Sequence, residues 1–294
     1  MDDYNKYSES ESMVLDWLDG DPRVFSVNQL DNTPEGRHRA NKRCMNLVHQ
    51  GILERHGKNW GWFKLREFYL EKIDLLSDEA DVGSVDIWLP FELSDLVEVY
   101  GGNILILAGA KDSGKTGLSL NIAQQNRHKW DVHYFNSEMG AAELKKRLAL
   151  SDITLDMWQE GCTFYRVASN FSDAILNCNP GANSLFIIDF LEIHDEFYAA
   201  GAMLKAIHDK LNGAVCIVNI QKRAPGIDSG PLGGWRSLEV CRVCLSVDYG
   251  AVKIKIAKNW RDPERNPKNL VASFKLRSGY IVSGFRGWHK EGDE

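Results

Sequence analysis

The hydrophobic positions of this chain follow two rhythms, one in each part. From Thr33 to about Gln50 they recur at helical spacing. Ala40, Cys44, Leu47 and Val48 form one stripe, and Arg37, His38, Arg39, Lys42 and Arg43 occupy the other face. Thr33 suits the N-cap, Pro34 the first helical position and Glu35 the first turn, and Gly51 suits the stop. Upstream, Met13, Val14, Trp17 and Leu18 predict a helix over residues 8–18, and residues 26–30 are a second short apolar piece. Downstream, residues 52–56 and 60–65 flank the polar Gly57-Lys58-Asn59 and predict a β-hairpin. Beyond residue 100 the rhythm changes. The runs 104–108, 132–135, 184–189 and 214–220 are short and continuously apolar, as in strands buried on both faces. Helical stretches over about 117–125, up to about 150, and 196–211 separate them. Residues 253–261 alternate like one more strand. Alternating strands and helices predict an α/β domain, a mainly parallel sheet with helices on both faces.

A chain of 294 residues exceeds one average domain. Charge divides it further. Residues 1–32 carry eight acidic and two basic side chains, and residues 33–66 carry two acidic and eight basic. Residues 67–100 carry ten acidic and one basic, whereas residues 251–290 carry ten basic and two acidic. Two basic islands in a chain of net charge −6 point to local contact with polyanions. Asp78-Glu79-Ala80-Asp81-Val82-Gly83-Ser84 is the most linker-like stretch. The expected organisation is a small domain over residues 1–68, an acidic linker over 69–84 and an α/β domain over 85–294.

Several classes recede. No apolar run approaches the roughly 18 residues of a membrane span. Met1-Asp2-Asp3 lacks the basic-then-apolar opening of a secretory signal. Six cysteines without such a signal read as reduced thiols in a cytoplasm. Cys241 and Cys244 have the spacing of a metal or redox pair, but no second pair matches it. Their apolar flanks, Leu238, Val240, Val243 and Leu245, favour thiols packed in the core. The eight histidines form no i, i+4 ligand pair.

The richest chemistry follows the first apolar run, where residues 109–116 read G-x-x-x-x-G-K-T. Gly109, Ala110, Lys111, Asp112, Ser113, Gly114, Lys115, Thr116 and Gly117 form a loop between strand and helix. The glycines let backbone N–H groups point inward around phosphates. Lys115 can reach the β- and γ-phosphates and the Thr116 hydroxyl can bind Mg²⁺. The following helix presents its positive end to the same place. A nucleoside triphosphate is therefore expected, ATP first, with Mg²⁺. Other strands end in polar groups where α/β sheets place ligands. Asp189 suits the second metal-holding position, and Glu138 suits orienting and deprotonating the attacking water, with Glu192 as an alternative. Gln221 suits sensing the γ-phosphate.

Ser137-Glu138-Met139, Ile188-Asp189-Phe190-Leu191 and Ile220-Gln221-Lys222-Arg223, in this order after the phosphate loop, resemble the RecA-like ATPase core. They are most similar to the DnaB-type replicative helicases and their phage or mobile-element relatives. The resemblance spans roughly residues 100–285. It implies a homo-oligomer, a hexamer or a filament. It also implies that Lys258 or Arg261 reaches the γ-phosphate of a neighbouring subunit, although Lys258-x-x-Arg261 is one residue longer than the family's Lys-x-Arg. The Gly/Pro-rich residues 224–234, flanked by Lys222, Arg223 and Arg236, then face single-stranded DNA, with Trp235 available for stacking. Residues 1–68 in turn resemble a winged helix-turn-helix domain. That likeness implies duplex contacts by Arg37, Arg39, Lys42 and Arg43 on the third helix and by Lys58 on the wing. Four functions fit: a helicase-like motor, a recombinase or loader, an ATP-switched DNA-binding regulator, and an ATPase with a protein-docking winged domain.

Overall fold

The computed structural model describes residues 14, 24–57, 59–65, 75, 83–193, 199–222 and 224–292, with the backbone alone at Trp235. The chain divides into two compact units, residues 1–82 and 83–294.

In the first unit, β1 (Val24–Ser26) leads into a short helix, Val27–Leu30, and then the helix Pro34–His49. Strands β2 (Leu53–Arg55) and β3 (Trp62–Leu65) follow, in an antiparallel sheet of order β1-β3-β2. The start of the long helix is doubly fixed. The Thr33 hydroxyl oxygen accepts from Gly36 N at 3.1 Å, and Asp31 Oδ1 accepts from Thr33 N at 2.9 Å. Its apolar stripe, Ala40, Cys44 and Leu47, is buried against Phe25, Val27, Leu53 and Phe63. The predicted stripe and hairpin are present. The apolar piece at residues 26–30 splits between the end of β1 and the short helix, where Ser26 N donates to Gln29 Oε1 at 2.8 Å. The predicted helix over residues 8–18 lies outside the described residues, apart from Val14, which is helical and buried.

The second unit is built on one nine-stranded sheet of order β14-β11-β10-β9-β4-β8-β7-β5-β6. Its parallel part comprises β4 (Ile104–Gly109), β5 (Asp131–Asn136), β6 (Cys162–Arg166), β7 (Ser184–Leu191), β8 (Val215–Gln221) and β9 (Cys241–Asp248). The strands β10 (Ala251–Ala257), β11 (Leu270–Ser273) and β14 (His289–Lys290) extend it antiparallel. A separate hairpin joins β12 (Lys275–Arg277) to β13 (Ile281–Ser283). The alternation along β4 divides the core. Leu105 and Leu107 join one cluster with Leu118, Ile122, Leu144 and Trp158, and Ile104 and Ile106 join the other with Phe171, Ile175, Leu204 and Ile207. The helices Lys115–Asn126, Ala141–Leu148 and Leu155–Gly161 cover the first face, and Phe171–Asn177 and Ala199–His208 the second. This is the predicted α/β layering with helices on both faces.

Three expectations are revised. The helix expected over 196–211 is described as Ala199–His208, with residues 194–198 outside the described set. The strand expected over 253–261 stops at Ala257, so Lys258 and Arg261 lie beyond it. The acid-rich run ending near Tyr100 is packed over its second half. Ile87, Leu89, Phe91, Leu93, Val97 and Val99 are buried, and Asn126 Nδ2 donates to Trp88 O at 2.9 Å. Among the described residues, no helix is long and apolar enough to cross a membrane. Cys241 and Cys244 are buried in the sheet, where the Cys241 thiol donates to Val243 O at 2.9 Å.

Candidate nucleotide site

The carboxyl ends of β4, β5, β7 and β8 open into a cavity of about 630 Å³. Lys115, Thr116, Glu138, Asp189 and Gln221 all line it, together with residues 111–114 of the loop and Gly117. Strand pairing explains the convergence. In-register parallel pairs set Gly109 beside Gln221 and Asn136 beside Asp189, so residues far apart in sequence finish at one edge.

The loop leaves no room for side chains at its glycines. A Cβ on Gly109 would lie 2.2 Å from Ser113 Oγ, and Gly114 has φ 97°, a left-handed conformation that glycine adopts without strain. Gly117 is closed by a distant element. A Cβ there would meet the Gly279 carbonyl oxygen at 2.2 Å, in the turn of the β12–β13 hairpin. Gly117→Ala is therefore expected to destabilise the protein by about 1–3 kcal/mol through overpacking. That is the opposite sign to the roughly 1 kcal/mol that alanine gains over glycine inside a helix. Thermal unfolding and nucleotide affinity measured together check this. A stable variant with unchanged affinity would show that the hairpin does not bear on the loop.

The fit of the site to a triphosphate and its metal rests on four features. Ser113 Oγ is buried without a hydrogen-bond partner among the described residues, inside a loop of closely spaced backbone N–H groups. The Lys115 ammonium is turned onto the loop, donating to the carbonyl oxygens of Gly109 at 3.0 Å and Ala110 at 2.8 Å. Burial lowers its pKa, opposed by the carboxylates of Asp189, Glu138 and Asp112. Thr116 Oγ1 donates to Asp189 Oδ1 at 3.1 Å, so the hydroxyl and carboxylate suited to a divalent cation adjoin each other. Glu138 stands exposed at the mouth, its pKa raised first by desolvation and then by Asp189, against the attraction of Lys115. A carboxyl so placed is a poised proton acceptor.

The cavity also contains residues that the sequence did not single out. Arg147 and Glu143, from the helix Ala141–Leu148, line it, and Leu276 and Gly279 bring in the hairpin. Behind Asp189, Tyr134 OH donates to Oδ2 at 2.6 Å and Asn219 Nδ2 donates to Oδ1 at 2.6 Å. The signal for these two was present: each is a polar group inside an otherwise apolar strand. Ser137 ties the ends of β5 and β7, its Oγ accepting from Phe190 N at 2.9 Å and donating to Phe190 O at 3.0 Å.

Other expected residues lie elsewhere. Lys258 Nζ donates to Glu239 O at 2.9 Å and Arg261 Nε to Ser94 O at 2.9 Å. Because β10 runs antiparallel to β9, it carries both away from the cavity, and neither lines it. Lys222 corrects the DNA-contact expectation. Its side chain is fully buried, with Nζ donating to Gly226 O at 2.9 Å and lying 3.9 Å from Asp248 Oδ2. Burial lowers its pKa, with Asp248 opposing. The ammonium thus braces the Gly/Pro-rich loop from beneath and presents no charge outward. That loop is further held by Gly226 N donating to Asp248 Oδ2 at 2.7 Å and by Lys253 pairing with Asp228 at 2.5 Å. Arg236 is exposed on the 3₁₀ turn Gly234–Leu238. Arg223 and Lys58 lie outside the described residues, as does the side chain of Trp235. In the first unit Arg39 and Lys42 are exposed and Arg37 Nη1 reaches Asn28 Oδ1 at 3.5 Å, while Arg43 is half-buried.

No protein-family model matches the sequence. No curated protein matches it either. Solved structures do resemble it. A KaiC-like protein from the hyperthermophilic archaeon Pyrococcus horikoshii OT3 aligns with TM-score 0.51 and 16% identity, over 68% of this chain and 99% of that one. The ATPase domain of a DnaB-type helicase aligns with TM-score 0.50 and 16% identity, over 70% of this chain and 94% of that one. At such identity the likeness concerns the fold, and the second unit has the RecA-like α/β fold.

Proposed function

We propose that this protein is a Mg²⁺-dependent ATPase that acts on DNA as a helicase-like motor or recombinase. The observation that carries the proposal is the single cavity lined by Lys115, Thr116, Glu138, Asp189 and Gln221. A phosphate loop alone would support binding. A carboxylate with raised pKa opposite the loop, and an amide at the next strand end, support hydrolysis as well. In this reading, loop N–H groups and Lys115 bind the phosphates, and Thr116 and Asp189 hold the metal. Glu138 orients water and takes its proton, and Gln221 reports the γ-phosphate to residues 222–232, whose Leu232 N donates to Gln221 O at 2.8 Å. The bound Mg²⁺ contributes charge neutralisation between the β- and γ-phosphates.

DNA as the partner is supported by the basic islands, by the exposed Arg236 and by the fold shared with the ATPase domain of a DnaB-type helicase. Assembly into a hexamer or filament is supported by the position of Lys258 and Arg261, which cannot serve the cavity of their own subunit. A second reading, an ATP-switched DNA-binding regulator, is favoured by the first unit. There a winged-helix domain would present Arg39 and Lys42 from a capped helix to duplex DNA.

Steady-state hydrolysis, measured over a range of protein concentration with no DNA, single strands or duplex, separates these readings. Stimulation by single strands together with specific activity that rises with concentration is expected. Hydrolysis indifferent to single strands, with salt-sensitive duplex binding by the whole protein, would favour the regulator. No hydrolysis under any condition would remove the ATPase reading.

A further inference from the structure

Asp189 is the most constrained side chain of the cavity, and most of what constrains it belongs to no motif. Its Oδ1 accepts from Thr116 Oγ1 at 3.1 Å and Asn219 Nδ2 at 2.6 Å, and its Oδ2 accepts from Tyr134 OH at 2.6 Å. Asn219 is oriented in turn by the Ser119 hydroxyl, which donates to its Oδ1 at 3.0 Å. Tyr134, Asn219 and Ser119 have no exposed surface, and Asp189 is 3% exposed. None of these groups can exchange a partner for bulk water, so each bond removed leaves a buried polar atom unpaired. A satisfied network of this kind specifies one arrangement and resists others.

The members come from every element that supplies the site. Tyr134 lies on β5, four residues before Glu138; Asn219 lies on β8, two before Gln221. Ser119 lies on the helix that begins at Lys115, three residues after Thr116. All donate to, or orient a donor to, one carboxylate. Two donors from behind favour its ionised form and fix its rotation, leaving the Thr116 side as the direction in which it faces the cavity.

We propose that Tyr134 and Asn219 are positioning residues for the metal ion of the nucleotide site, acting through Asp189. The inference rests on the ATPase reading given above and assigns it two residues outside the phosphate loop and the strand-end motifs. A chain with aliphatic residues at these two places would keep the fold and the loop and hold Asp189 by Thr116 alone.

The test compares wild type with Tyr134→Phe, which removes one hydroxyl and no volume. Asn219→Ala is the second variant. Three quantities are read: ATP affinity in the presence of EDTA, Mn²⁺ affinity of the protein–ATP complex by electron paramagnetic resonance, and the Mg²⁺ concentration for half-maximal hydrolysis. Thermal unfolding without nucleotide monitors the fold. ATP affinity in EDTA is expected to stay unchanged, while Mn²⁺ affinity weakens and the Mg²⁺ midpoint rises by about 10–100-fold, as for other groups that orient a metal's ligand. A lowered melting temperature with unaltered Mn²⁺ affinity in Tyr134→Phe would overturn the inference, because the network would then be structural only. If the wild-type protein itself forms no Mn²⁺–ATP complex, the ATPase reading falls instead, which keeps the two failures distinct.

Discussion

Lys115→Ala is expected to reduce ATP turnover about a thousandfold, the upper end of the 10²–10³ lost when one preorganised charge-stabilising donor is removed. Lys115 is the cation at the centre of the loop, and its ammonium is partly desolvated there. The two carbonyls it now contacts, Gly109 and Ala110, are weak partners compared with a triphosphate, so the side chain is free to exchange them for phosphate oxygens. Alanine removes the charge and leaves the glycine geometry of the loop intact. Nucleotide binding by fluorescence and turnover by phosphate release check this on one preparation. Turnover at the wild-type rate would remove the phosphate-loop argument altogether.

Glu138→Gln is expected to keep ATP binding and slow hydrolysis by about 10²–10⁴, the contribution of a positioned general base. The amide preserves shape and hydrogen bonding while losing the capacity to take a proton. The pH dependence carries an independent signature. Desolvation, and then the neighbouring Asp189 carboxylate, hold the Glu138 pKa above its ordinary value. The carboxylate is the active form. Activity should therefore rise with pH through a limb displaced above the ordinary carboxylate range and fall away on acidification. In Glu138→Gln that limb should vanish. A variant that hydrolyses normally would shift the role elsewhere, and Glu192, whose charge also acts on Glu138, is the next carboxylate to substitute.

How much of this was legible beforehand differs from element to element. The strand Ile104–Gly109 and the loop after it announce themselves through local signals alone, namely an apolar run, glycines and the GKT triplet. Asp189 and Gln221 were legible for the same reason, as polar residues ending apolar runs. The stretch between residues 150 and 184 was not. It contains β6 and the helices Leu155–Gly161 and Phe171–Asn177. Strand β6 lies at the edge of the sheet, and of its five residues only Cys162 is fully buried, so its sequence lacks the continuous apolar character of the central strands. Lys222 shows the opposite error. A lysine beside a Gly/Pro-rich loop reads as a surface cation, yet Gly226 and Asp248 draw it inward.

The sequence by itself determined the α/β class, the phosphate loop and the residues at the strand ends, because strand burial, turn chemistry and helix starts depend on neighbours close along the chain. Only the tertiary structure decided which of those residues share a cavity. It also placed Gly279 over Gly117, turned Lys222 beneath its loop, carried Lys258 and Arg261 away from their own site, and set Tyr134 and Asn219 behind Asp189. Each of these depends on strand order and on contacts between residues remote in sequence, which local pattern does not encode.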